Sequence, residues 1–230
     1  MTAFADSLRP TTFDARNTIL WTQDGHPEVL IRENRKTEDQ TLDEQEALLR
    51  ESEQHFAHMR DHYQIPVIAM RHTRALNKEG VATLFTIVDK IDGNNLAAIE
   101  HLPSEAAPAL EQLYLSLAHY YHDAWKNNSI YWGDCRSDQF AYGHKHGETQ
   151  DQFYLVDVDP EFYKEGDDAW HTIEAVVGSL CHDLIEHEGR FVPPVRFDLA
   201  RAQLLEIISE ILTMHPEAHM LEEAKGWLSQ

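Results

Sequence analysis

The break Asp92-Gly93-Asn94-Asn95 constrains this 230-residue chain more than any other feature, because the hydrophobic pattern on its two sides obeys different periods. Before it, short β-prone runs come in pairs. Thr18 to Trp21 and Glu28 to Arg32 flank Asp24-Gly25, a dipeptide suited to a hairpin turn with positive φ. Val67 to Met70 and Ala82 to Val88 form a second pair joined through Asn77-Lys78-Glu79-Gly80. Between the pairs, the charged stretch from Glu38 to Tyr63 places Leu48, Phe56, Met59 and Tyr63, with Ser52 filling the gap, on one helical face. Ile65-Pro66 ends that helix, since proline disfavours helical geometry in the residue before it.

After the break the pattern turns helical. Ser104 is placed to cap a long helix carrying Leu110, Leu113, Leu117, Tyr121 and Ala124 as a stripe, closed by Asn127-Asn128. Phe140 to Tyr142 and Gln152 to Val156 read as a short hairpin around Gly143-His144-Lys145-His146-Gly147. Helices are predicted over Trp170 to His187, Phe197 to Met214 and Glu217 to Leu228. The order predicts an α+β protein: a β-rich N-lobe over residues 1–96, with two hairpins around one helix, and a mainly helical C-lobe over 97–230.

Hydrophobic residues make up 42% of the chain, enough to bury a core. Nineteen basic against forty acidic residues give a net charge of −21, which repels nucleic-acid phosphate and anionic lipid. The acidity is read first as solubility, with a strongly basic protein partner as the alternative. The N-terminal residues Met1 to Pro10 show no leader pattern, and no stretch approaches the roughly 20 apolar residues of a membrane span. Two cysteines, Cys135 and Cys181, are too few for a disulfide framework, so a reducing cytosol is the expected compartment.

Chemistry concentrates at two aspartates that end separate apolar segments: Asp134 in Tyr131-Trp132-Gly133-Asp134, with Gln139 five residues on, and Asp157 in Phe153-Tyr154-Leu155-Val156-Asp157-Val158-Asp159. Each aspartate alone reads as a turn or cap residue; the two together, with an amide between them, fit a site that orients a hydroxyl and holds Mg²⁺. Histidines do not give a zinc-protease motif. His182 and His187, five apart, point about 140° apart on a helix. His144 and His146 read as an exposed turn, Cys135 as a small filler, and the aromatics from Tyr114 to Trp132 as core.

In this order the motifs resemble the protein-kinase-like superfamily, and more closely its small bacterial branch of aminoglycoside phosphotransferases and lipopolysaccharide-core sugar kinases, over roughly residues 18 to 160. Trp132-Gly133-Asp134 with Gln139 is similar to that family's His-Gly-Asp followed by Asn, and Asp157-Val158-Asp159 to its Asp-Phe-Gly element. Val88 to Leu96 is similar to its hinge, and Val29-Leu30-Ile31-Arg32 to its Val-Ala-Ile-Lys. The resemblance implies a two-lobed kinase-like fold using ATP and Mg²⁺. Asp134 would be the base or orienter, Gln139 and Asp157 the Mg²⁺ ligands, with Asp159 as an additional ligand. Arg32 would hold phosphates, paired with Glu53 (Glu51 being the alternative), and the backbone from Asp89 to Ile91 would meet adenine. Four departures mark the chain as divergent: Trp132 for His, Gln139 for Asn, Arg32 for Lys, and a first glycine only at Gly25, so that no Gly-rich loop precedes the strands. The implied activity is transfer of a γ-phosphoryl group to a hydroxyl of a sugar, small molecule or protein, or a nucleotidyl transfer variant. The alternative is a catalytically degenerate module whose acidic surface binds a basic protein such as a toxin or effector.

Overall fold

The computed structural model describes residues 4–11, 20–34, 40–166 and 172–230. A five-stranded antiparallel sheet opens the chain: β1 (Leu8–Pro10), β2 (Leu20–Gln23), β3 (His26–Asn34), β4 (Met70–Leu76) and β5 (Ala82–Asp89), in the order β1-β2-β3-β5-β4. Gly25, at φ 79°, turns the β2–β3 hairpin expected from Asp24-Gly25; Thr18 and the residue after it lie outside the described residues. The second hairpin also forms, turned by Gly80 at φ 78°, but its first strand starts only at Met70. Val67 and Ile68 leave the sheet. Val67 bridges Leu155, Ile68 N–H donates to the Leu155 carbonyl at 3.2 Å, and both side chains are buried with the C-terminal helices.

Helix α1 (Leu42–Tyr63) connects the hairpins, its start set by a capping box in which Thr41 and Glu44 bond each other's main chain. Residues 38 and 39 of the predicted helix lie outside the described residues. The buried stripe is Gln45, Leu49, Ser52, Phe56 and Met59; Leu48, expected inside, is 40% exposed. Leu49 wins because spacings of four, three, four and three from Gln45 keep one face turned inward, whereas Leu48 lies 100° off it. Gln64 takes the left-handed conformation and closes the helix before Ile65-Pro66.

The segment read as a linker is itself a strand, β6 (Ile91–Asn95), paired with β8 (Phe140–Lys145), which pairs in turn with β9 (Gln152–Leu155). Gly93 faces Gly143 in this ladder, and a Cβ on Gly143 would sit 2.5 Å from the Asp92 carbonyl oxygen. Two glycines thus allow a close backbone approach that the turn-like letters conceal.

Helix α2 (Ala107–Asn127) follows a 3-10 turn at Ser104–Ala106, with Pro108 in its first turn. Ser104 does not cap it; its hydroxyl meets Glu105 instead. Leu110, Leu113, Leu117, Tyr121 and Ala124 are all buried, and Asn128 ends the helix at φ 47°. A two-stranded ladder of β7 (Tyr131–Trp132) and β10 (Phe162–Tyr163) precedes α3 (Ile173–Glu188), α4 (Asp198–Met214) and α5 (His219–Leu228). Thr172 caps α3, and the predicted start at Trp170 lies outside the described residues. The α+β class, with a small β-rich N-lobe and a mainly helical C-lobe, is what the structure shows. One large core runs from Phe56 and Met59 of α1 through α2 to α5, whereas the sheet has a small cluster of its own around Leu8, Val29, Ile31, Phe85 and Ile87.

Among the described residues, no helix is long and apolar enough to cross a membrane.

Candidate active site

Asp134 leaves the end of β7, and its neighbours hold that strand rigidly. Tyr121 donates to the Trp132 carbonyl at 2.9 Å, Tyr120 accepts from the Trp132 N–H at 2.8 Å, and Trp132 itself is 1% exposed. Trp132 is therefore core, as expected. The Asp134 carboxylate accepts from Arg136 Nε at 2.6 Å, from Arg136 Nη2 at 3.1 Å and from Gln139 Nε2 at 2.5 Å. Such a two-point guanidinium contact fixes both the position and the plane of the carboxylate.

Gln139 is buried, and its main chain reaches the other aspartate. Its carbonyl accepts from Val156 N–H at 2.9 Å and from Asp157 N–H at 3.4 Å. One residue thus ties Asp134 by its side chain and the Asp157 segment by its backbone. Burial pushes the Asp157 carboxyl up to about 6, with Asp159, Asp134 and Glu161 adding repulsion and Arg32 opposing them.

Arg32 lies in β3 opposite Thr86 of β5, which lies opposite His72 of β4, so the three residues form a row on one face of the sheet. Its guanidinium contacts Asp159 and approaches Asp157 at 3.7 Å. The expected pair of Arg32 with Glu53 is not made. Glu53 approaches His72 Nε2 at 3.9 Å, and the alternative Glu51 approaches His55 at 4.0 Å from a more exposed position. The physical reason is charge and reach: the long planar guanidinium spans the gap to two crowded carboxylates, while His72 stands beside the half-exposed Glu53.

Arg32, Asp157 and Asp159 line a cavity of about 240 Å³ between the lobes, with Leu20, Thr86, Val88, Asp138, Val156 and Val158 completing its wall. Asp89 and Ile91 are not on that wall. Asp89 N–H donates to Ala69, Lys90 N–H donates to Glu28, and Ile91 pairs with Lys145 of β8. The main-chain edge expected to meet adenine is therefore largely engaged inside the protein, because β6 continues as a paired strand.

A second cavity, of about 310 Å³, borders the Asp134–Gln139 loop at Arg136 and is lined further by Gly178, Ser179, His182, Asp183, Met220, Glu223 and Trp227. Asp183 ties this wall to the loop by accepting from Ser137 N–H at 3.0 Å. Sequence reading passed over Arg136, two residues after Asp134, and over Asp183. The first could have been found from its spacing; the second comes from α3 and carries no local signal. His182 is exposed, whereas His187 is buried against Tyr114 at 2.6 Å, in keeping with the angle that excluded a joint metal site. Burial pushes the Cys135 thiol up to about 12, so it is a filler and not a nucleophile.

The oxygen donors of Asp157 and Asp159 suit Mg²⁺, which favours one or two carboxylates supplemented by water and phosphate. Burial does most to raise the proton affinity of Asp157, and the negative charges that add to it, on Asp159, Asp134 and Glu161, also favour a cation there. Among the described residues, the ligand atoms that gather within 4.8 Å as a group of three belong to His182, Asp183 and Glu186, so Asp134, Asp157 and Asp159 do not converge to one point.

No protein-family model and no curated protein sequence matches the chain. Among solved structures, the chain is similar to the Cydia pomonella granulovirus kinase PK-1, at TM-score 0.49 and 13% identity over 81% of this chain and 69% of that one. It is also similar to a chain of the yeast RNA polymerase II CTD kinase CTDK-1 complex, at TM-score 0.45 and 9% identity, over 88% of this chain and 62% of that chain.

Proposed function

We propose that the chain is a divergent kinase-like phosphotransferase that moves the γ-phosphoryl group of ATP to a hydroxyl, with a motif order similar to that of the aminoglycoside and sugar-kinase branch. The observation that carries this reading is the double role of Gln139, which fastens Asp134 and the Asp157 segment on either side of one loop. Phosphoryl transfer needs positioning and charge neutralisation more than covalent chemistry, and this loop supplies positioning. Asp134 orients the acceptor hydroxyl and takes its proton. Asp157 and Asp159 would hold Mg²⁺, which neutralises phosphate charge, with Gln139 as the nearby amide. Arg32, at the cavity wall, meets the phosphates once it leaves the carboxylates. The nucleotide fills the cavity between the lobes, and the acceptor enters through the cavity lined by Arg136 and Asp183. Adenine recognition then rests on Leu20, Val88 and the cavity wall in place of Asp89 and Ile91. The net charge of −21 argues against nucleic acid or an anionic membrane as the partner, and the thiol usage is that of a cytosolic protein.

The test is a thermal-shift titration with ATP and Mg²⁺, combined with a measurement of ADP formation. A ligand that binds the folded state alone raises its apparent stability. The expected result is a saturable shift that Asp157→Ala removes. Asp134→Asn keeps the shift and lowers turnover by about 10²- to 10⁴-fold. Absence of any shift in the unaltered chain would sink the proposal.

A second reading is favoured by one contact. Arg32 lies on the carboxylates that a metal would need, and a guanidinium that stays there makes the site a closed ion pair. The chain would then be a degenerate module whose acidic surface binds a basic protein. Tight binding of a cationic protein with no nucleotide shift is the outcome that selects it.

A further inference from the structure

Two kinds of side chain line the cavity between the lobes: charged ones, chiefly Arg32, Asp157 and Asp159, and the apolar Leu20, Val88, Val156 and Val158. The neutral polar group on the wall, the Thr86 hydroxyl, is already engaged, accepting from Asn34 Nδ2 at 2.9 Å and meeting His72 Nδ1 at 3.1 Å. The main chain alongside is occupied as well. Val88 lies in the ladder between Leu30 and Met70, and the N–H groups of Val156 and Asp157 donate to the Gln139 carbonyl.

The segment that links the lobes offers a base no more. Asp89 N–H donates to Ala69 at 3.2 Å, Lys90 N–H donates to Glu28 at 2.8 Å, and the Lys90 carbonyl accepts from His146 N–H at 3.4 Å. Two lysines there are spent on neighbouring carboxylates, Lys90 on Asp92 at 2.6 Å and Lys145 on Asp89 at 2.8 Å. Nucleobases differ at their polar edges and share flat faces, so a wall that touches them through apolar side chains distinguishes them poorly. A site that reads an edge needs matched donors and acceptors, and among the described residues those nearest the cavity are committed elsewhere. The phosphate chain is different: Arg32 can meet it by charge-assisted bonds, and Asp157 and Asp159 can reach it through Mg²⁺. The cavity of about 240 Å³ also falls below the roughly 300–1,000 Å³ of pockets that enclose a drug-sized ligand, so it encloses part of a nucleotide only.

We infer that this site selects its phosphate donor by the metal-bound phosphate chain and not by the base, which makes nucleoside triphosphates in general its donor class. The inference rests on the phosphotransferase reading given above.

Thermal-shift titration of the unaltered full chain with ATP, GTP, CTP and UTP, at fixed excess MgCl₂, tests it, with inorganic tripolyphosphate and adenosine as competitors. The four nucleotides are expected to saturate with dissociation constants within about tenfold of one another. Tripolyphosphate is expected to displace ATP, and adenosine at the same concentration to leave it bound. Arg32→Gln is expected to weaken all four nucleotides by the same factor. A preference for any one base of more than about tenfold overturns the inference and leaves the phosphotransferase reading standing. Displacement of ATP by adenosine, failure of tripolyphosphate to displace it, or a loss in Arg32→Gln confined to one nucleotide does the same. No shift with any triphosphate removes both.

Discussion

Two arginine–carboxylate constellations in this molecule use the same chemistry under opposite conditions. In the C-lobe, Arg201 of α4 meets Glu188 of α3 through two bonds, at 2.8 and 2.6 Å, with side chains 9% and 7% exposed. Further bonds hold the pair in place: Glu188 accepts from Phe197 N–H at 2.6 Å, and Arg201 donates to the Leu228 carbonyl of α5 at 2.8 Å. Between the lobes, Arg32 faces two carboxylates that are 42% and 40% exposed and border a cavity. The first constellation is buried, bonded at both groups and holds three helices together; the second is crowded with negative charge and open to replacement. Burial with bonds at both groups marks architecture, and partial exposure with charge crowding marks a site.

The comparison breaks or sharpens at four measurements. Glu188→Ala leaves a buried guanidinium unpaired and is expected to cost about 3–5 kcal/mol in urea unfolding. Replacing both partners together, Glu188→Leu with Arg201→Met, is expected to recover most of that loss, since no charge then stays buried alone. Asp157→Asn acts in the other direction. The carboxyl is raised from 3.8 to about 6 in the folded chain, so its stabilising contribution belongs to the protonated form. That contribution is complete below the unfolded value and is lost as the pH rises through 6. Asp157→Asn is therefore expected to be more stable than the unaltered chain at pH 7 to 8, by up to about 1 kcal/mol after allowance for solvent screening, with the difference gone near pH 4. Arg32→Gln has the smallest effect, a loss of at most about 0.5 kcal/mol at neutral pH, because its partners are half in water. A cost for Arg32→Gln as large as that for Glu188→Ala would erase the distinction and favour the closed, degenerate reading.

Much of the architecture was legible because it follows local rules. The Asp24-Gly25 turn, the α2 stripe from Leu110 to Ala124 and the end of α1 at Ile65-Pro66 each rest on letters next to one another. Strand β6 was not legible: Asp92-Gly93-Asn94-Asn95 has the composition of a turn and becomes a strand only because Gly143 stands opposite Gly93. Spacing put Gln139 beside Asp134 and Asp157 as an expected Mg²⁺ ligand; that its amide nitrogen donates to Asp134 while its carbonyl accepts from the Asp157 segment was not legible, and neither was the partner of Arg32. Choosing between Glu53 and the pair Asp157 and Asp159 depends on how far the guanidinium reaches across the lobes, a distance that no sequence window contains.

Val67 and Ile68 leave their hairpin to lie among the C-terminal helices, alongside Phe56 and Met59 of α1. The N-terminal sheet therefore keeps only a few buried side chains for itself. A fragment ending before α2 would expose the apolar face of α1, so the two lobes are expected to melt as one cooperative unit. Any rocking of the sheet over the cleft must pivot on a helix already anchored to the other half.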